Sequence, residues 1–186
     1  MQDEKTPMRQ QPAEKRVNNF NEVPHGYNKE EAIQEAERCL QCPNPACVEG
    51  CPVGVRIPEF IEAIKEDNID DAIDIMQSKN NLPAICGRVC PQEEQCEELC
   101  VLGTKKEPVA IGRLERYVGD KTIEREKSTA ENTVDAEVDV NNNKSQKAKV
   151  AVVGSGPAGL TAVAELAQEG YEVTLMEALH ETGGVL

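Results

Sequence analysis

Residues 38–52 read RCLQCPNPACVEGCP, and residues 82–100 read LPAICGRVCPQEEQCEELC. Between them they hold all eight cysteines of a 186-residue chain. The first quartet is spaced Cys39-x2-Cys42-x4-Cys47-x3-Cys51, the second Cys86-x3-Cys90-x5-Cys96-x3-Cys100, and Cys51 and Cys90 each precede a proline. Three chemistries compete for such a set. Zinc sites usually pair C-x2-C clips, and only one such clip occurs here. Disulfides need an oxidising compartment, and the polar stretch Met1–Arg16 lacks the apolar core of a signal peptide. Iron–sulfur cubanes need four soft ligands around a body wider than one ion, and closely spaced cysteines closed by Cys-Pro suit them. Eight cysteines suffice for two [4Fe–4S] sites. The reading is therefore iron–sulfur, with zinc or structural thiols as the alternatives.

The balance of the chain narrows the partners. It carries 34 acidic and 20 basic residues, a net charge of −14, and every segment is net negative. No basic face stands ready for a phosphate backbone or an anionic membrane surface. No apolar run approaches the ~18 residues of a membrane span, so the expected location is the cytoplasm. Five aromatics (Phe20, Tyr27, Phe60, Tyr117, Tyr171) and no Trp leave an aliphatic core. His25 and His180 are isolated, as surface or loop residues would be.

Outward from the cysteines, the pattern predicts helices. Residues 1–27 read as an extended leader with no helical period. Asn28 to Leu40 predicts a helix: Asn28 as cap, Glu31 at the capping-box position, and Ala32, Ile33, Ala36 and Leu40 as one stripe. Pro58 opens another helix with Phe60, Ile61 and Ile64 inward. Ala72, Ile73, Ile75 and Met76 mark a third. A short one is expected over 94–100, and a long one from Val109 to about Glu126, with Ile111, Leu114, Tyr117 and Val118 inward. No strand alternation occurs within 28–127, so this domain reads as all-α. Residues 128–147 read as a flexible acidic linker, with a weak strand pair over Val134–Val140 as the alternative.

From Ala148 the pattern changes to strand, turn, helix, strand. Lys149–Val153 is β-branched, Pro157–Glu169 is Ala- and Leu-rich, and Tyr171–Met176 is a second strand. The turn between them, Gly154-Ser155-Gly156-Pro157-Ala158-Gly159, is G-x-G-x-x-G in the right context. Its first glycine permits the tight turn, its second lets backbone approach a diphosphate, and its third packs helix on strand. The helix N-terminus then faces the phosphates. Glu177, at the end of the second strand, suits ribose hydroxyls and disfavours a 2′-phosphate. A generic glycine turn is the alternative. Spacing alone does not separate FAD from NAD.

The stretches RCLQCPNPACVEGCPVGVRIPEFI, LPAICGRVCPQEEQCEELC and VAIGRLERY, with GSGPAGL further on, resemble the NADPH-dependent glutamate synthase small (β) subunit family. That family includes the large subunit of electron-bifurcating, NADH-dependent ferredoxin:NADP oxidoreductase and the N-terminal region of dihydropyrimidine dehydrogenase. The resemblance covers about residues 17–127 and 148–186. It implies an all-α, two-cluster domain, ferredoxin-like in its ligand logic, followed by the first, truncated βαβ of a Rossmann-type FAD-binding domain. It also implies crossed ligands. Cys39, Cys42, Cys47 and Cys100 would hold one [4Fe–4S] cluster, and Cys51, Cys90 and Cys96 the second. In dihydropyrimidine dehydrogenase a glutamine at the position of Glu115 completes the second. Here either Glu115 or Cys86 takes that place; otherwise Glu115 is a solvated helix position and Cys86 a small core residue.

The resemblance further implies FAD at Gly154–Gly159 and Glu177, with Gly183 and Gly184 supporting the diphosphate region. NADPH would bind in a downstream domain. The implied activity is an oxidoreductase passing electrons from the flavoprotein part through the clusters to a partner. That partner would be the glutamate synthase large subunit or another flavin-containing redox subunit. The bifurcating enzyme is the runner-up, and a zinc-binding subunit-assembly module is the alternative of another class. A single βαβ cannot cover both faces of a parallel sheet, so the chain reads as a fragment.

Overall fold

The computed structural model describes residues 2–132 and 147–184. Its contacts divide the chain into two units, Met1–Lys127 and Ser128–Leu186. The first unit is helical. Its elements are α1 (Ala13–Arg16), α2 (Lys29–Ala36), α3 (Ala46–Glu49), α4 (Ile57–Lys65), α5 (Ile69–Gln77), α6 (Pro83–Val89) and α7 (Ile111–Asn132). Two short 3-10 turns, Gln92–Glu94 and Val101–Thr104, join α6 to the segment before α7.

Local chemistry explains most of these. The Asn28 side chain accepts from the Glu31 N–H at 2.8 Å, and the Glu31 carboxylate accepts from the Asn28 N–H at 2.8 Å. This capping box starts α2. The helix stops at Ala36, four residues short of the predicted Leu40, because residues 37–39 tighten into a turn and Gln41 adopts a left-handed φ of 49°. Leu40 is left largely exposed while Ala32 and Ala36 are fully buried. Pro58 lies in the first turn of α4, whose Phe60, Ile61 and Ile64 are buried. Each such side chain contributes ~1.5–3 kcal/mol. Asp67, also left-handed at φ 59°, and Asn68, whose side chain accepts from the Asp71 N–H, turn the chain from α4 into α5. There Ala72, Ile73 and Met76 face the same core. Ile111, Leu114, Tyr117 and Val118 of α7 complete it.

Two expectations change. The helix predicted over 94–100 does not form; the chain makes the Gln92–Glu94 turn and then a run of turns to Leu99. On a helix Cys96 and Cys100, four apart, would share one face, whereas here they serve different groups of thiols. Helix α7 also runs past Glu126 to Asn132, into the stretch read as a linker. Residues 133–146, on which the linker and strand-pair readings both turn, lie outside the described residues.

The leader is folded onto the helices. Hydrogen bonds Gln11 N–H to Val23 O and His25 N–H to Arg9 O flank an antiparallel bridge, Gln10 with Pro24, and α1 lies in the loop it closes. A buried ion pair secures its start. Glu35 and Arg38, 0% and 1% exposed, meet at 2.6 Å. Glu35 also accepts from the backbone N–H of Thr6 at 2.6 Å and of Ala110 at 2.8 Å. Arg38 donates to the carbonyls of Gln2, Asp3, Glu107 and Pro108. Every polar atom of the pair is thereby engaged with backbone from the leader or from the segment before α7, which is what makes a buried charge pair tolerable. Arg113 donates to Thr6 O, and Arg116 to Pro24 O.

The second unit is one β-α-β. Strands β1 (Lys149–Val153) and β2 (Glu172–Met176) pair in parallel, Lys149 opposite Glu172 and Val153 opposite Met176, and α8 (Pro157–Gln168) connects them. Among the described residues no helix is long and apolar enough to cross a membrane.

Candidate iron–sulfur and dinucleotide sites

The cysteines fall into two groups that cut across their order in the chain. Cys39, Cys42, Cys47 and Cys100 line one cavity, walled by apolar residues including Leu40, Ile57, Ile61, Leu99, Leu102 and Val109. Burial pushes the Cys47 thiol up to about 11, and the charges of Cys100, Cys39 and Cys42 add to the rise. Burial also raises Cys39, opposed by the backbone N–H of Gln41. That N–H reaches the sulfur because Gln41 is left-handed, a conformation that its side chain helps hold by donating to Pro58 O at 3.0 Å.

Cys51, Cys86, Cys90 and Cys96 form the other group, with Glu115. Burial pushes Cys90 and Cys96 up to about 12, and the charges of Glu115 and Cys51 act on both. The Glu115 carboxyl, on α7, is raised by burial to about 7. It accepts from Asn80 Nδ2 at 2.8 Å. The Cys86 thiol lies 3.7 Å from Asn80 Oδ1 and hydrogen-bonds with Cys90. Close backbone approach brings α6 to α7. A Cβ on Gly87 would stand 2.4 Å from the Arg116 nitrogen, and one on Gly119 2.3 Å from the Ala84 nitrogen. Asn80, Gly87 and Gly119 escaped the sequence reading. Only the glycines carried a signal, as small residues where two helices touch.

The donor set fits an iron–sulfur cluster. The thiols are soft, Cys96 is buried and the other seven are half-buried, and each group draws on separate segments of chain. Among the described residues no three His, Cys, Asp or Glu converge on a single point.

In the second unit Gly154 has φ +95°, and a Cβ on Gly159 would stand 1.9 Å from Gly154 O. No atom lies within 4 Å of a Cβ placed on Gly156, which leaves the open backbone a diphosphate needs. Pro157 and Ala158 begin α8. The Glu177 carboxylate accepts from the Ser155 backbone N–H at 2.9 Å and hydroxyl at 2.5 Å, and from the Leu179 N–H at 2.9 Å. The Ser155 hydroxyl, then the Leu179 and Ser155 N–H groups, hold its pKa down at about 2. Gly183 N–H donates back to Ser155 O, and Gly184 abuts Gly156. All the residues predicted for this site thus meet around one loop.

A helical unit with two thiol groups, followed by a glycine-rich β-α-β, defines an iron–sulfur oxidoreductase module. Residues 16–127 match the family model of dihydropyrimidine dehydrogenase domain II, 4Fe-4S cluster, and the chain belongs to that family. Residues 152–186 match the NAD(P)-binding Rossmann-like domain. The glutamate synthase [NADPH] small chain of Escherichia coli K12 is 35% identical over 90% of this chain and 34% of its own. That of Azospirillum brasilense is 36% identical over 94% of this chain and 35% of its own. An NAD-dependent dihydropyrimidine dehydrogenase subunit PreT homolog of Salmonella typhi is 34% identical over 91% and 38%. The chain therefore spans about a third of the length of these curated relatives.

Proposed function

We propose that this chain is the electron-transfer part of an NADPH-dependent flavin and iron–sulfur oxidoreductase of the glutamate synthase small-subunit type. Two [4Fe–4S] clusters take the two thiol groups: Cys39, Cys42, Cys47 and Cys100 for one, and Cys51, Cys90 and Cys96 with Glu115 for the other. Cys86 remains a thiol. The loop Gly154–Gly159 with Glu177, Gly183 and Gly184 takes the diphosphate and ribose of FAD, and the acceptor is a partner subunit, the glutamate synthase large subunit by similarity. The observation that carries this reading is the gathering of Cys100 with Cys39, Cys42 and Cys47 around one apolar cavity.

Bound there, the clusters supply one-electron relay and the flavin exchanges hydride for single electrons. The chain's own residues do the rest. Leu40, Ile61 and Leu102 wall the cavity of the first thiols. The Gln41 N–H offers a hydrogen bond to sulfur. Open backbone at Gly156 admits the diphosphate.

The test is iron and acid-labile sulfide on anaerobically purified chain. Both are expected in amounts for two clusters. Near-zero iron with stoichiometric zinc sinks the proposal in favour of an assembly module. Cys90→Ala is expected to remove one cluster by iron count and EPR, and Cys86→Ala to keep both. Equal losses would refute the non-ligand role of Cys86.

A further inference from the structure

We propose that Asn80 is a positioning residue that presents Glu115, rather than Cys86, to the second thiol group. This rests on the cluster reading above and names what selects its fourth ligand. Asn80 is buried, 6% exposed, between the end of α5 and the start of α6. Its backbone N–H donates to Met76 O at 2.9 Å. Its side-chain oxygen accepts from the Leu82 N–H at 2.9 Å. That donor can be met only by the oxygen, so it fixes which end of the amide points where. The NH2 end is then aimed at α7, where it donates to Glu115 Oε1 at 2.8 Å.

The two candidate ligands receive opposite treatment from this one amide. Glu115 meets a donor, so it is held as an acceptor. That bond engages Oε1, so Oε2 is the atom the carboxylate would turn to a metal. Cys86 meets the other end of the amide, its oxygen, at 3.7 Å, and also hydrogen-bonds with Cys90. The amide therefore holds the oxygen ligand by its NH2 end and keeps the Cys86 sulfur engaged by its oxygen. Outer hydrogen-bond partners of this kind orient the ligands they touch, and their loss typically costs ~10–100-fold in metal retention.

Asn80→Asp separates positioning from turn formation. Aspartate keeps the acceptor for the Leu82 N–H but loses the donor and sets a carboxylate against Glu115. The double variant Asn80→Asp with Glu115→Gln restores the hydrogen bond with donor and acceptor exchanged. The probe is the anaerobic, cluster-loaded chain challenged with an iron chelator, followed by EPR; Cys90→Ala identifies the second cluster's signal. Asn80→Asp is expected to speed iron loss from the second cluster ~10–100-fold and to shift its EPR signal. The first cluster's signal and the melting midpoint stay as in the wild type, and the double variant recovers retention. An unchanged second signal and loss rate would overturn the proposal. So would parallel loss of both signals with a lowered midpoint, which marks a merely structural residue. A wild-type chain with zinc and no iron fails one step earlier, at the cluster reading itself.

Discussion

At the scale of single residues, the glycine-rich loop is closed by one carboxylate. Glu177 ties the end of β2 to Ser155 through two hydrogen bonds and accepts a third from the Leu179 N–H. The folded carboxyl is the stronger acid, ionised down to about 2 against an ordinary 4.5. The contact therefore stabilises the second unit fully above the ordinary carboxylate range and is lost as pH falls from about 4.5 through about 2. The Ser155 amide resonance is expected to titrate with a midpoint near the lower value, and Glu177→Gln to abolish the titration. A midpoint near 4.5 would disprove the link. The position of Glu177 was legible, because a strand followed by a glycine turn fixes where the second strand must end. Its bond to Ser155 was not, since that serine reads as filler between two glycines. The separation of Cys51 from its sequence neighbours was signalled only by its Cys-Pro pair; the full crossed set came from resemblance.

At the scale of elements, α6 decides whether the second thiol group exists. The α2, α4, α5 and α7 helices announce themselves through caps and apolar period. The sequence PAICGRV does not: it has no polar face, and its glycine lowers helix propensity. It is helical because Gly87 and Gly119 let it lie directly on α7. Gly119→Val puts methyls where Ala84 backbone stands and is expected to cost ~1–3 kcal/mol by overpacking. Because Cys86 and Cys90 lie on or just beyond α6, the second EPR signal should disappear while the first persists. Retention of both signals would show that α6 can shift without cost. The predicted helix over 94–100 failed for the complementary reason: period alone cannot tell that neighbouring cysteines face different partners.

At the scale of the whole molecule, the first unit depends on its thiol groups in a way the second does not. Metal binding is folding energy for a domain whose ligands come from distant segments. Stripping iron with a chelator under reducing conditions is expected to lower the melting midpoint of residues 2–127 and leave that of 147–184 unchanged, read by amide exchange in each unit. A common shift would contradict two independent units. The cysteines stop at Cys100, well short of Lys127 where the first unit ends, so they pointed to more than one module without marking the boundary. What composition could not give is the role of the leader, whose polar residues read as extended chain yet lodge against Glu35, Arg38, Arg113 and Arg116. The contact of Thr6 with Arg113 spans 107 residues, so during synthesis the leader emerges long before the groups that hold it. At ~5–20 residues per second that interval lasts roughly 5–20 s. All eight cysteines leave the ribosome within it, before Arg113 is available to hold Thr6 and fix the leader in place.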